Sequence, residues 1–341
     1  MKKPLLIALV AIAIILLGSM LFGWLLAGGQ KPNLLEIWGS SSSDVFVVGE
    51  SGTMLHYDGK SWSRMKTPAP GTISHIWGSS TSDVFAIASN RPVLHYDGNT
   101  WNPMHIGTKG CRDVWGTSSS DVFAIKGGDI LHYNGNAWRK MYSGTECMLW
   151  EIWGSSSSDV FIVGGYYGGP FIILHYNGNT WSETNFSGKQ FLMDIWGSSS
   201  SDVFAVGQSN TIFHWDGGTW SQISKGTTQS IMEIWGISSS DVFTVGDKGS
   251  IWHYDGNTWS PMSSGTESQL REIWGTSPTD VFAVGGGGTI LHYDGNTWSQ
   301  MDSGSDCLLQ DVWGTSPSDV FAVGTDSTIL HYDGNTWSRM K

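Results

Sequence analysis

From Leu34 onward the chain alternates short apolar runs with short polar ones, and the runs come in sets of four. One ends in Ile-Trp-Gly, the next reads Asp-Val-Phe-Ala-Val-Gly, the third Thr-Ile-Leu-His-Tyr, and the fourth Thr-Trp-Ser-x-Met. Each is rich in β-branched and aromatic residues and is bounded by Gly, Ser, Asn or Asp, the pattern of strands and turns. No segment sustains a 3.6-residue period, so a helical repeat is excluded. The Trp-Gly pair recurs at Trp38, Trp77, Trp115, Trp153, Trp196, Trp235, Trp274 and Trp313, in steps of 39, 38, 38, 43, 39, 39 and 39 residues. Four strands in about 40 residues is the pattern of a propeller blade. The eight units (near 34–72, 73–110, 111–148, 149–191, 192–230, 231–269, 270–308 and 309–341) therefore predict an all-β fold. It is an eight-bladed β-propeller of four antiparallel strands per blade, over 31–341. The first unit opens on its first strand and the last closes on its fourth, so the ring is expected to shut by side-chain packing alone.

The pattern is different before residue 30. Lys2 and Lys3 precede an apolar stretch over 5–27, which as a helix would reach about 35 Å, enough for a hydrocarbon core of about 30 Å. Residues 1–30 are thus expected to be a signal-anchor or transmembrane segment with a short tether. Positive charge ahead of the span favours a single pass with the N-terminus cytoplasmic and the propeller outside. Ala27, Gly28 and Gly29 offer a cleavage site, and cleavage would make the protein secreted.

Charge narrows the partners. With 18 Lys+Arg against 30 Asp+Glu the formal charge is −12, which argues against nucleic acid. Cys111, Cys147 and Cys307 lack zinc-site spacing and form no disulfide framework. Neither a metal nor a cofactor is expected.

The units resemble bacterial and archaeal β-propeller proteins built from WGxSxxDVFAVG…ILHYDGxxW repeats, over Leu34–Met340. The DGNTW turns are also distantly similar to the Asp-box hairpins of sialidase-type propellers. They lack the residue between Asp and Gly, so no sialidase chemistry is carried over. The resemblance implies the fold and no particular reaction.

Two residue sets recur once per unit. Eight histidines (His56, His95, His132, His175, His214, His253, His292 and His331) and the aspartate opening each Asp-Val-Phe suggest acid–base chemistry at first sight. An active site is used once, whereas these occur in every blade, so a structural hydrogen-bond network is expected. Two residues before the repeat Trp stand Glu36, Asp113, Glu151, Asp194, Glu233, Glu272 and Asp311, with His75 in the second unit. If the first strand is innermost, these seven carboxylates ring the central channel. A scaffold role is expected for them, the alternative being a cation or polar ligand on the axis.

Departures from the repeat carry the functional signal. The Ser-rich and Asp-Gly turns at one end are nearly constant, while the loops at the other end vary, and variable loops on a rigid scaffold are where recognition resides. Trp150, Tyr166, Tyr167 and Phe171 are the candidate ligand-binding residues, the last three from the long loop of the fourth unit. His75 and Arg112 are the best candidates for reactive exceptions. No catalytic residue is assigned, since GxSxG, HExxH and Walker-type motifs are absent. The expected function is a membrane-anchored, extracytoplasmic binding or scaffold module with a protein or glycan partner. The alternatives are a hydrolase or lyase at the channel mouth, or a lectin.

Overall fold

Every unit becomes a four-stranded antiparallel meander in the computed structural model, which describes residues 31–89, 91–104, 110–142, 146–166, 169–188, 190–223 and 229–340. Blade 1 runs Leu34–Ser41, Asp44–Gly49, Thr53–Tyr57 and Trp62–Arg64, and blade 8 runs Leu309–Ser316, Asp319–Gly324, Thr328–Tyr332 and Trp337–Arg339. The first strands of successive blades lie beside one another, and that of blade 8 returns to that of blade 1. First strands are therefore innermost and surround the axis. Pro32–Lys341 form one unit. The apolar run 5–27 lies outside the described residues, and among these no helix is long and apolar enough to cross a membrane.

The Trp-Gly pair is explained by blade packing. Each repeat Trp lies against the Gly of the next blade: Trp38 on Gly78, Trp77 on Gly116, and so round to Trp313 on Gly39. A Cβ on Gly78 would stand 2.5 Å from Cη2 of Trp38, so only glycine lets the indole lie this close. Behind this contact the Phe of each Asp-Val-Phe is fully buried, and in seven blades it meets the second Trp of the following blade edge-on, as Phe46 does with Trp101; Phe123 meets Tyr176 instead. Closure uses the same parts. Leu34, Ile37, Val45 and Val47 of blade 1 share one core with Phe321 and Val323 of blade 8. Trp62 donates its indole N–H to the sulfur of Met340. The backbone N–H of Ser327 donates to the carbonyl of Pro32.

The histidine array is structural. In each blade His Nε2 donates to the Asp-Val-Phe aspartate at 2.6–2.8 Å, as in His292–Asp280. In seven blades the other carboxylate oxygen accepts a Ser or Thr hydroxyl from the turn; in blade 6 that position is Ile237, which is exposed. The constant end is closed by Asx turns, in which Oδ1 of Asp255 accepts the N–H groups of Asn257 and Thr258 while Gly256 takes φ +90.

One candidate residue is reassigned. The four extra residues of blade 4 lengthen its second hairpin, so Gly165 pairs with Phe171 inside the sheet. Phe171 is 3% exposed, stacked on Phe186 and edge-on to Phe213. It is a core residue and not a loop-tip contact.

Candidate functional site

Because first strands are innermost, the residues two before each repeat Trp face the axis. Their eight neighbouring amides, one just before each repeat Trp, need acceptors, since buried N–H groups are rarely left unpaired. Asp113 takes two, from Val114 at 2.7 Å and from Ile152 of the next blade at 3.1 Å. Asp194 takes Ile195 at 2.7 Å and Ile234 at 2.8 Å, and Asp311 takes Val312 at 2.6 Å and Ile37 at 2.7 Å. Glu36 accepts Ile76 and Glu272 accepts Ile273. That accounts for all eight amides with five carboxylates. These five serve the inner strands as acceptors.

Glu151 and Glu233 accept none of the eight. Each is instead hydrogen-bonded to the aspartate of the preceding blade, Glu151 to Asp113 and Glu233 to Asp194. Burial and repulsion within the ring push Glu151, Glu233, Glu272 and Glu36 well above the usual carboxylate range. Burial pushes Asp311 up to about 7. His75 is shifted down by burial, against the pull of Asp113; its Nδ1 stands 3.4 Å from Glu36 and 3.6 Å from Asp113.

One residue further toward the variable end, the repeat is broken on one side of the channel. Arg112 of blade 3 sits over the ring of Trp150 of blade 4, its guanidinium carbon 3.9 Å from the centroid, a cation–π contact. Phe191, at the entry to blade 5, meets Trp150 edge-on at 5.8 Å. With His75, Glu151, Met193 and Gln208 these residues line a cavity of about 250 Å³ at the channel mouth. The indole N–H of Trp150 is buried and lacks an acceptor among the described residues. Arg112 forms no ion pair among them. Gln208 is held by its Oε1, which accepts the N–H of Phe191. Below the mouth, and sharing His75 and Glu151 with it, a second cavity of about 340 Å³ is lined by Glu36, Glu233, Glu272 and Asp311.

The candidate residues therefore separate. Trp150 lies in the mouth together with both flagged exceptions, His75 and Arg112. Tyr166 is 38% exposed but does not line this cavity; its hydroxyl is hydrogen-bonded to the thiol of Cys147. Tyr167 lies outside the described residues. Phe191, Met193 and Gln208 were missed, although Phe191 and Met193 flank the core residue Leu192 as Met148 and Trp150 flank Leu149. That shared register was the available signal.

No family model matches the chain, and no curated protein matches it. Solved structures do share its fold. The computationally designed Ika8 protein aligns with a TM-score of 0.73 at 14% identity, covering 90% of this chain and 98% of its own. The C-terminal WD40 domain of Sif2 gives 0.65 at 10% identity, over 87% and 94%. A structure described as YCF48 bound to D1 peptide gives 0.62 at 14% identity, over 89% and 92%. At such identities the likeness is one of propeller fold.

Proposed function

We propose that the chain is a protein-binding module that takes a segment of a partner on the variable end of the propeller, anchored in the mouth cavity. The observation that carries this is convergence. In a ring where nearly everything is repeated eight times, departures from blades 2, 3, 4 and 5 (His75, Arg112, Trp150 and Phe191) meet in one cavity. A cationic plane, two aromatic rings and unpaired donors suit a peptide, whose carbonyls accept and whose apolar side chains pack. The similar fold captured with a peptide supports the reading. The apolar run 5–27 supports a membrane anchor with the propeller on the outer side, which carbonate extraction tests: the protein should stay in the membrane pellet.

Panning a displayed random-peptide library against the full chain, with a glycan array as control, tests the binding role. Selected peptides should bind the wild type and lose at least about tenfold on Trp150→Ala, with Tm unchanged. Peptides that bind both proteins equally would remove the mouth from the function.

A further inference from the structure

The formal charge of −12 is spread unevenly over the ring. All eight aspartates that open Asp-Val-Phe and the six of the Asp-Gly turns lie at the constant end, where Lys60 is the one lysine or arginine. The variable end is divided. Its loops on blades 7 and 8 carry Asp302, Asp306 and Asp326 without a base. On blades 2 and 3 they carry Arg91, Arg112 and Lys126, and backbone bonds stitch these three into one run. The N–H of Gly110 donates to the carbonyl of Arg91, and that of Arg112 to the carbonyl of Ile125, which places Lys126 beside it. The N–H of Leu149 then donates to the carbonyl of Gly127, so the run ends at Trp150 and the mouth. Arg91 and Arg112 are exposed, and none of the three forms an ion pair among the described residues. The acid of that hairpin, Asp129, is taken by Lys140 at 2.8 Å. Glu146, on the next loop, lies toward Tyr166. Past Trp150, in blades 4 and 5, the face turns apolar, with Met148, Tyr166 and Met193 exposed.

We propose that the segment taken by the mouth is an acidic one. An apolar side chain lies over Trp150, Phe191 and Met193, and aspartate or glutamate residues pair with Arg91, Arg112 and Lys126. This deepens the peptide-binding reading above and rests on it. Unpaired bases in a row beside exposed apolar residues match such a segment in both charge and polarity. The register follows from the throat below the mouth, whose carboxylates repel a negative side chain on the axis. The acidic residues therefore lie toward blades 2 and 3 and the apolar one over the opening. Arg112 already answers to Glu151 and Asp113 of the ring, so Arg91 and Lys126 carry most of the discrimination.

The test uses pools of fluorescein-capped, amidated heptapeptides with a central leucine, flanked by Asp and Glu, by Ser and Asn, or by Lys and Arg. Binding to the full chain in detergent is read by polarisation at about 50 mM and about 300 mM salt. The acidic pool should bind at least about tenfold tighter than the neutral pool at low salt, and the gap should shrink at high salt. Arg91→Gln/Lys126→Gln should remove most of that advantage, while Lys60→Gln, at the constant end, should keep it. Tm reports whether the double variant folds, and Arg91→Gln alone serves if it does not. If all pools bind alike and Trp150→Ala abolishes them, the peptide reading survives and the acidic inference falls. It falls too if the advantage survives the double variant. If the acidic pool has no advantage but short-chain phosphatidylglycerol binds through Arg91 and Lys126, the run serves a lipid headgroup and the inference is overturned. If no pool binds, both readings fall.

Discussion

Two carboxylate sets in the same blades do different work. The aspartates that accept His Nε2 are scaffold members, so His292→Ala, which leaves Asp280 short of a donor, should cost about 1–3 kcal/mol in chemical denaturation. The throat carboxyls hold their protons to higher pH when folded than when unfolded: Asp311 up to about 7, the glutamates likewise raised. Groups raised in this way favour the fold at low pH, and that contribution is lost as pH climbs through the window from about 4 to 7. The melting temperature should therefore fall between about pH 5 and pH 8, and Glu233→Gln should flatten the fall. A flat profile for the wild type would show that the ring is ionised without strain. The sequence displays the ring but not its division of labour, because which amide a carboxylate takes depends on reach. The aspartates each take two amides and the glutamates one or none. Glu151, set between two aspartates round the ring, is left without one.

At the scale of strands, the repeat is legible because each blade must present the same faces to its neighbours. The Trp-Gly pair is plain in the sequence, but its reason appears only when Trp38 is found against Gly78 of another blade. Gly78→Ala should cost about 1–3 kcal/mol through overpacking. Gly71→Ala, whose nearest neighbour would lie 3.7 Å away, should be nearly neutral by the same thermal measurement. Equal losses at both would mean that backbone freedom and not the indole contact sets the cost. The long loop of blade 4 misled for a related reason. Gly-rich sequence reads as turn, yet the inserted residues extended a hairpin, and cross-strand packing on Phe186 and Phe213 drew Phe171 into the core. Local composition does not report that pairing.

The whole ring depends on its last joint. Blade 8 covers blade 1 through Trp313 on Gly39, through the shared core of Leu34, Ile37 and Phe321, and through Met340 at the indole N–H of Trp62. Blade 7 presents the same parts at its own outer side: Trp274 packs on Gly314, and Phe282 lies in one core with Val312, Val320 and Trp337. Removing residues 309–341 therefore bares two matching faces at once. Those faces are complementary in sequence, so a seven-bladed ring is chemically conceivable. However, each interblade contact is set by an indole lying flat on a glycine with no slack, and closing seven blades would change the angle at every joint. Strain spread over seven close-packed interfaces outweighs the gain from one, because interiors of this density tolerate little displacement. The truncated protein should show no cooperative melt and should bind a dye specific for exposed apolar surface. Adding the 309–341 segment as a separate chain should restore part of the transition, since closure rests on side-chain packing and few backbone bonds. A sharp, monomeric melt of the truncated chain alone would show instead that the blade interface can rotate, and that eight is one permitted number rather than the required one.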